Sequence, residues 1–269
     1  MLKAVIFDIG GVVLRSPFIA IAEYEQELGL PKDYINVSIR SRGSDGAWQQ
    51  FERGELPLLA FYQAFSRDLS DTTANNASYS NYCTRKGNEC PALPSRLQVD
   101  GRELFGRMMR SSSVYDPYVL KAIQCIRQAG QHRIIALTNN FSAFDSPEQP
   151  IADTERAFLG WGDEGPVPEH LRRLFDDFCD SSSLGLRKPD EKFYLLACER
   201  NDVAPQETIF LDDIPENIKA AKAIGMDTIR VHLGHTLDAV KILEEKLGID
   251  LTTPEGGDVS PGPSPSAKL

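Results

Sequence analysis

The chain opens on an apolar run, Ala4-Val5-Ile6-Phe7, that stops at Asp8 and is followed two residues later by Gly10 and Gly11. Four consecutive apolar residues read as a strand buried on both faces, as strands inside a parallel sheet are. The same device, an apolar run closed by a polar group, recurs at Arg133 to Thr138 and at Thr208 to Leu211 before Asp212 and Asp213, and a further strand is expected at Thr228 to Val231. Helical spacing fills the gaps. Val119, Ile123 and Ile126 share one face of a helix that begins at Asp116-Pro117, an N-cap followed by Pro at the first helical position, and stops near Gly130. Phe193, Leu196 and Ala197 mark another helix, and Pro215 to Ile224 a third that Gly225 ends. Strands and helices alternating in this way to about Leu247 predict right-handed crossovers and a Rossmann-like parallel sheet, an α/β fold.

Between the first two strands the pattern is helical throughout. From about Ser16 to Val114, Ile21, Tyr24 and Leu28 fall on one face and Phe61, Phe65 and Leu69 on another, with no buried strand pattern. Such a block reads as a helical cap domain inserted after the first strand. The expected organisation is a core formed by residues 1–15 and 115–250, a cap of residues 16–114 and a flexible tail of residues 251–269. Trp48 and Phe51 read as buried packing of a cap helix. Two segments stand outside this scheme. Ser70 to Gln98 is rich in Asn, Ser, Thr and Pro and reads as a long polar loop within the cap. Ser142 to about Pro168 carries Gly160-Trp161-Gly162 and either borders the mouth of a site or runs as a surface excursion.

Composition narrows the possibilities. With 269 residues, 41% of them apolar, a packed interior is within reach, and a formal net charge of −10 excludes the clustered basic footprint of a nucleic-acid binder. Five cysteines without regular spacing form neither a zinc pattern nor a disulfide framework; Cys83 and Cys90 could pair locally, but a reduced interior is the expectation. The first apolar run is too short for a signal-peptide core or a membrane span.

The candidate chemistry lies at the predicted strand ends, where side chains from distant parts of an open parallel sheet converge on one crevice. Asp8 is a candidate carboxylate nucleophile. The Thr138 hydroxyl and the backbone N–H of Asn139 are placed to hold phosphate oxygens. Lys188, held extended by Pro189, offers an ammonium to neutralise charge on the nucleophile and the transferring group. Asp212 and Asp213, adjacent carboxylates at a strand end, repel each other unless a cation lies near, and hard oxygen ligands beside phosphate suit Mg²⁺. Each motif also has a plainer reading: a turn-capping Asp, ordinary Thr-Asn-Asn turn chemistry, a solvated Lys before Pro.

Taken in order, Phe7-Asp8-Ile9-Gly10-Gly11-Val12-Val13-Leu14, Leu137-Thr138-Asn139-Asn140, Arg187-Lys188-Pro189-Asp190 and Phe210-Leu211-Asp212-Asp213-Ile214-Pro215-Glu216-Asn217 resemble the haloacid dehalogenase-like (HAD) hydrolase superfamily. Trp48, Phe51, Glu52, Arg53, Gly54 and Glu55 are similar to a segment in the caps of the phosphatase domain of soluble epoxide hydrolase and its relatives, and with Gly at position 10 the chain also resembles the phosphatase-like segment of some acyl-CoA dehydrogenases. The resemblance implies a Mg²⁺-dependent phosphatase of a small organic phosphate. Asp8 would form an aspartyl phosphate; Asp8, Asp213 and the backbone carbonyl of Gly10 would hold the metal, with Asp212 and Asn217 in support. One departure stands out. Many phosphatases of the family carry a second Asp, the general acid and base, where this chain has Gly10, so a catalytically impaired phosphate- and metal-binding pseudoenzyme is the alternative. A haloacid dehalogenase also lacks that Asp but needs no metal, which leaves the Asp212-Asp213 pair unexplained. Finally, Ala267-Lys268-Leu269 resembles the address read by the peroxisomal import receptor, implying peroxisomal delivery, with the cytoplasm as the fallback.

Overall fold

The computed structural model describes residues 1–141, 151–165 and 167–253. Strand β1 (Ala4–Phe7) is buried along its whole length. Six helices follow with no strand between them among the described residues: α1 (Phe18–Glu27), α2 (Tyr34–Ser41), α3 (Ala47–Glu52), α4 (Leu58–Ser70), α5 (Thr72–Lys86) and α6 (Gly101–Ser111). The alternating part then runs through α7 (Pro117–Ala129), β2 (Arg133–Thr138), α8 (Asp153–Leu159), α9 (Glu169–Arg172), β3 (Asp177–Asp180), α10 (Ser181–Leu184), α11 (Glu191–Arg200), β4 (Thr208–Asp212), α12 (Pro215–Ala223), β5 (Asp227–Arg230) and α13 (Thr236–Leu247).

The five strands form one parallel sheet in the order β3-β2-β1-β4-β5. Side chains alternate across it, as the period of two requires. Val5, Phe7, Ile134, Ala136, Ile209 and Leu211 face α7 and α13. Ala4, Ile6, Ile135, Leu137 and Phe210 face Phe193 and Tyr194 of α11 and Ala221 of α12. The helices inserted after β1 have a core of their own, dominated by Phe51, Phe61, Phe65 and Phe105, all essentially inaccessible. Phe51 and Phe61 stack with centroids 4.0 Å apart. Trp48 sits at the edge of this cluster, half-buried, against Phe61, Phe65, Phe105 and Phe141.

Several sequence expectations need correction. The supposed polar loop at 70–98 contains α5, a helix of 15 residues capped by Asp71, which accepts from the backbone N–H of Ala74, and ended by Gly87 at φ 69°. Its buried stripe is Asn75, Tyr79 and Cys83. These recur every four residues, as on a helix face, but one of them is polar, so no apolar periodicity shows. Asn75 is satisfied inside by the carbonyls of Asp68 and Leu69. Of the 142–168 segment, residues 142–150 and Pro166 lie outside the described residues; the remainder includes α8, and Phe141, Ile151, Leu159 and Trp161 join the aromatic core of the inserted helices. Strand β3 was not anticipated. It is an edge strand with two apolar residues between two aspartates, and Asp177 is neutralised by Arg200 at 2.7 Å and accepts from Asn201. Leu28 lies just past the end of α1 and is exposed. Cys83 and Cys90 are both free thiols, as are Cys125, Cys179 and Cys198. Among the described residues no helix is long and apolar enough to cross a membrane. Ala267, Lys268 and Leu269 lie outside the described residues.

Candidate active site

The sheet register brings the chemistry together. Phe7 lies beside Ala136 of β2 and Leu211 of β4, so Asp8 and Asp212 leave neighbouring strands at the same level and Thr138 ends its strand one residue further on. The chain turns sharply after Asp8: the N–H groups of Val13 and Leu14 donate back to the carbonyl of Ile9. Gly11 sits in that turn at φ 86°, where a Cβ would lie 2.3 Å from Asp213 Oδ2. Glycine is required there both by backbone angle and by the approach of Asp213.

Lys188 is the centre of the cluster. Its Nζ is 2.8 Å from Asp8 Oδ1 and 2.7 Å from Asp212 Oδ2, and the side chain is 1% exposed. Asp8 Oδ1 also accepts from the N–H of Ile9 at 2.7 Å. Asp212 is saturated by protein donors: besides Lys188 it accepts from Ile214 N–H at 2.7 Å and from Asn217 Nδ2 at 3.2 and 3.0 Å. Asp213 differs. Its Oδ2 accepts weakly from the Ser16 hydroxyl at 3.5 Å, and its Oδ1 is buried without a hydrogen-bond partner among the described residues. One oxygen from each of Asp8, Asp212 and Asp213 lies within 4.8 Å of the others.

Three carboxylates therefore share a buried site with one ammonium. Burial drives the Asp8 carboxyl well above the usual range; Lys188 pulls it down while Asp212 and Asp213 push it further up. Burial likewise lifts Asp213 to about 7, with Asp212 adding to the shift. For Lys188 burial acts downward, but Asp212 and Asp8 outweigh it and hold the ammonium above its ordinary value. The set is short of positive charge, and an orphaned buried carboxylate oxygen is the feature a hard cation would satisfy. On this observation the residues present fit Mg²⁺.

Asp8, Lys188, Asp212, Asp213 and Asn217 thus meet as the sequence suggested. Gly10 and Gly11 prove different in kind: Gly10 has ordinary φ, pairs with Leu14 in an isolated bridge, and leaves its nearest neighbour, Pro17 Cδ, at 3.6 Å from a notional Cβ. Thr138 is buried, and its hydroxyl donates to the Asn139 carbonyl at 3.4 Å. Asn139 has a use that sequence reasoning missed. Its side-chain carbonyl accepts from Lys188 N–H at 2.8 Å and its amide donates to the Lys188 carbonyl at 3.1 Å, so it clasps the backbone that carries the ammonium. The Lys188-Pro189 peptide is cis. Also missed were Ser16, on the link to the inserted helices, and Tyr194, whose hydroxyl donates to the Asn217 carbonyl at 3.1 Å. Neither stands in a distinctive local pattern.

A family model described as haloacid dehalogenase-like hydrolase matches residues 2–225. The chain belongs to that family. Acyl-CoA dehydrogenase family member 10 of Mus musculus is 30% identical over 249 residues, 93% of this chain and 19% of that protein. Bifunctional epoxide hydrolase 2 of Sus scrofa is 26% identical over 93% of this chain and 40% of its own length. The chain therefore spans a fifth and two fifths of these relatives. Sesquiterpene phosphatase astK of Aspergillus oryzae is 25% identical, and there the match covers 91% of this chain and 97% of the relative. Among solved structures, a HAD-like family hydrolase from Porphyromonas gingivalis superposes with a TM-score of 0.50 at 18% identity, covering 90% of this chain and 98% of that one. The HAD fold and membership of a hydrolase family with phosphatases among its members follow from these matches.

Proposed function

We propose that this HAD hydrolase is a Mg²⁺-dependent phosphatase of a small organic phosphate that works through an aspartyl phosphate. The observation that carries the reading is the pairing of Lys188 with both Asp8 and Asp212 beside the orphaned Oδ1 of Asp213. Two donors engage Asp8 Oδ1, which leaves Oδ2 as the nucleophilic oxygen. Attack forms the bond from Oδ2 to phosphorus as the bond to the leaving oxygen breaks; water then cleaves the aspartyl phosphate and releases inorganic phosphate. Lys188 balances charge on Asp8 and on the transferring group, and the Thr138 hydroxyl with the Asn139 N–H binds phosphate oxygens. Asp8, Asp213 and the Gly10 carbonyl would hold Mg²⁺, with Asp212 and Asn217 fixing the arrangement from behind. When bound, the ion supplies electrostatic stabilisation of phosphoryl charge.

Gly10 leaves no carboxyl in the position of the usual acid, so a proton for the leaving oxygen comes from solvent. General acid–base help of this kind is typically worth about 10² to 10⁴-fold. Good leaving groups are therefore favoured over alkyl phosphates. The same residue is what favours the pseudoenzyme as the second reading. The acidic cluster, with its unmet demand for a cation, counts against a dehalogenase.

The test is release of inorganic phosphate from para-nitrophenyl phosphate and a panel of metabolite phosphates, a terpenyl phosphate included, with Mg²⁺ and with chelator. Mg²⁺-dependent release that disappears in Asp8→Asn is the expected result. Absence of release from every substrate, with Mg²⁺ still bound, would leave the pseudoenzyme.

A further inference from the structure

Glu52, the last residue of α3, is 6% exposed at its side chain and lies against the segment that carries Lys188. The Nε and Nη2 of Arg187 both donate to its Oε2, at 2.8 and 2.5 Å. The Ser181 hydroxyl donates to the backbone carbonyl of Glu52 at 2.5 Å. Two residues later Gly54, at φ 76°, comes so near that a Cβ there would be 2.9 Å from the Ser182 carbonyl. The turn from Glu52 to Gly54 is thus seated on the strand-end side of the sheet through a side chain, a carbonyl and a close backbone approach.

Two of its three partners, Arg187 and Ser181, are one step from the chemistry. Arg187 is bonded to Lys188, whose ammonium meets Asp8 and Asp212. The Ser181 hydroxyl oxygen accepts from the N–H of Asn140 at 2.9 Å, next to the Asn139 that clasps Lys188. Adjacent residues on the Arg187-Lys188 segment therefore point opposite ways, one to the inserted helices and one to the nucleophile. A charge pair with little exposure on the Glu52 side is held tightly and is costly to leave half-made. An ion pair needed only to staple two surfaces could stand anywhere along their boundary; this one ends on the residue beside the ammonium.

We propose that Glu52 and Arg187 are positioning residues for phosphoryl transfer, so that seating of the Glu52–Gly54 turn fixes the backbone that carries Lys188 and, through Ser181, the one that carries Thr138 and Asn139. This rests on the phosphatase reading above. With the pair broken, substrate still enters but Lys188 is held less closely against Asp8. The loss falls on kcat rather than KM, since a displacement of about an ångström in a positioned group costs as much as roughly 10²-fold.

The experiment compares wild type, Glu52→Gln, Arg187→Met, the exchanged pair Glu52→Arg with Arg187→Glu, and Asp8→Asn. Steady-state hydrolysis of para-nitrophenyl phosphate is measured with Mg²⁺, and amide hydrogen exchange is followed over residues 139–141 and 181–188. The expected result is a kcat lowered about 10- to 100-fold in both single variants at nearly constant KM, recovery in the exchanged pair, and faster exchange in both segments. Release lost in Asp8→Asn but unchanged in Glu52→Gln overturns the proposal and leaves the phosphatase standing. Release that persists in Asp8→Asn removes the phosphatase reading instead. Because exchange needs no turnover, protection at residues 139–141 and 181–188 that is the same in Glu52→Gln and wild type overturns the positioning role even in a protein that hydrolyses nothing.

Discussion

Gly11 and Asp213 are in contact across the active-site turn: a methyl on Gly11 would lie 2.3 Å from Asp213 Oδ2 and 2.6 Å from its Cγ. No side chain can be accommodated there without moving the carboxylate whose other oxygen has no partner among the described residues. The φ of 86° adds strain for any L residue. Gly11→Ala is therefore expected to weaken Mg²⁺ binding and to lower turnover by about 10²-fold or more, the scale of a misplaced catalytic group. Titration of Mg²⁺ against intrinsic fluorescence, alongside phosphate release, checks both.

Gly10 gives the opposite expectation. Its backbone angle is ordinary and the nearest atom to a Cβ is Pro17 Cδ at 3.6 Å, normal contact distance. Gly10→Asp should fold and should supply the missing acid. Turnover on an alkyl phosphate would then rise by about 10²-fold or more, and turnover on para-nitrophenyl phosphate, whose leaving group needs little protonation, much less. Equal gains on both substrates would count against the role assigned to the missing acid.

How much of this was readable beforehand depends on the kind of signal each feature carries. Strands β1, β2 and β4 are four to six residues long, bounded by polar groups and almost wholly apolar, and burial on both faces leaves little else they could be. Asp8 and Asp212 were legible because strand ends concentrate polar side chains; Lys188, on the loop between α10 and α11 rather than at a strand end, was legible only through its place in the ordered set of motifs. Helix α5 was not, since its inner face is Asn75, Tyr79 and Cys83, and an Asn satisfied by carbonyls of the preceding helix looks in sequence like a loop residue. Strand β3 was hidden by its position at the sheet edge, where Asp177 can be held by Arg200. The Glu52–Arg187 pair was out of reach for a different reason. It joins residues 135 positions apart, and no local pattern encodes such a meeting.

Among the described residues Lys188 is the sole ammonium within hydrogen-bonding distance of Asp8 and Asp212, so removing it leaves buried carboxylates facing one another. Breaking a buried pair by deleting one partner costs about 3–5 kcal/mol. Lys188→Met should therefore be less stable than wild type in chelator, with part of the loss recovered on adding Mg²⁺, and its turnover should fall by about 10²-fold or more. Urea titrations with and without the ion measure the first effect, and phosphate release the second. A destabilisation that Mg²⁺ leaves untouched would argue that the ion does not share the site with Lys188.

Glu25 provides a test away from the catalytic cluster. It is 3% exposed on α1, and its two oxygens accept from the N–H groups of Ile35 at 2.6 Å and Asp33 at 2.9 Å, tying down the start of α2. Burial lifts its carboxyl to about 7, against the downward pull of those donors. The folded value thus lies above the ordinary 4.5 of a glutamate. Between these two values the folded protein binds more protons than the unfolded chain, so this contribution to stability is full at acid pH, declines as pH rises through that window, and is gone above the folded value. Glu25→Gln cannot titrate and offers one acceptor oxygen where Glu25 has two. Its Tm should be lower throughout, by about 2–4 °C for each kcal/mol lost, yet fall less than that of wild type between pH 5 and pH 8. Parallel Tm curves for the two proteins would show that Glu25 is already ionised at pH 5, held so by the two N–H donors.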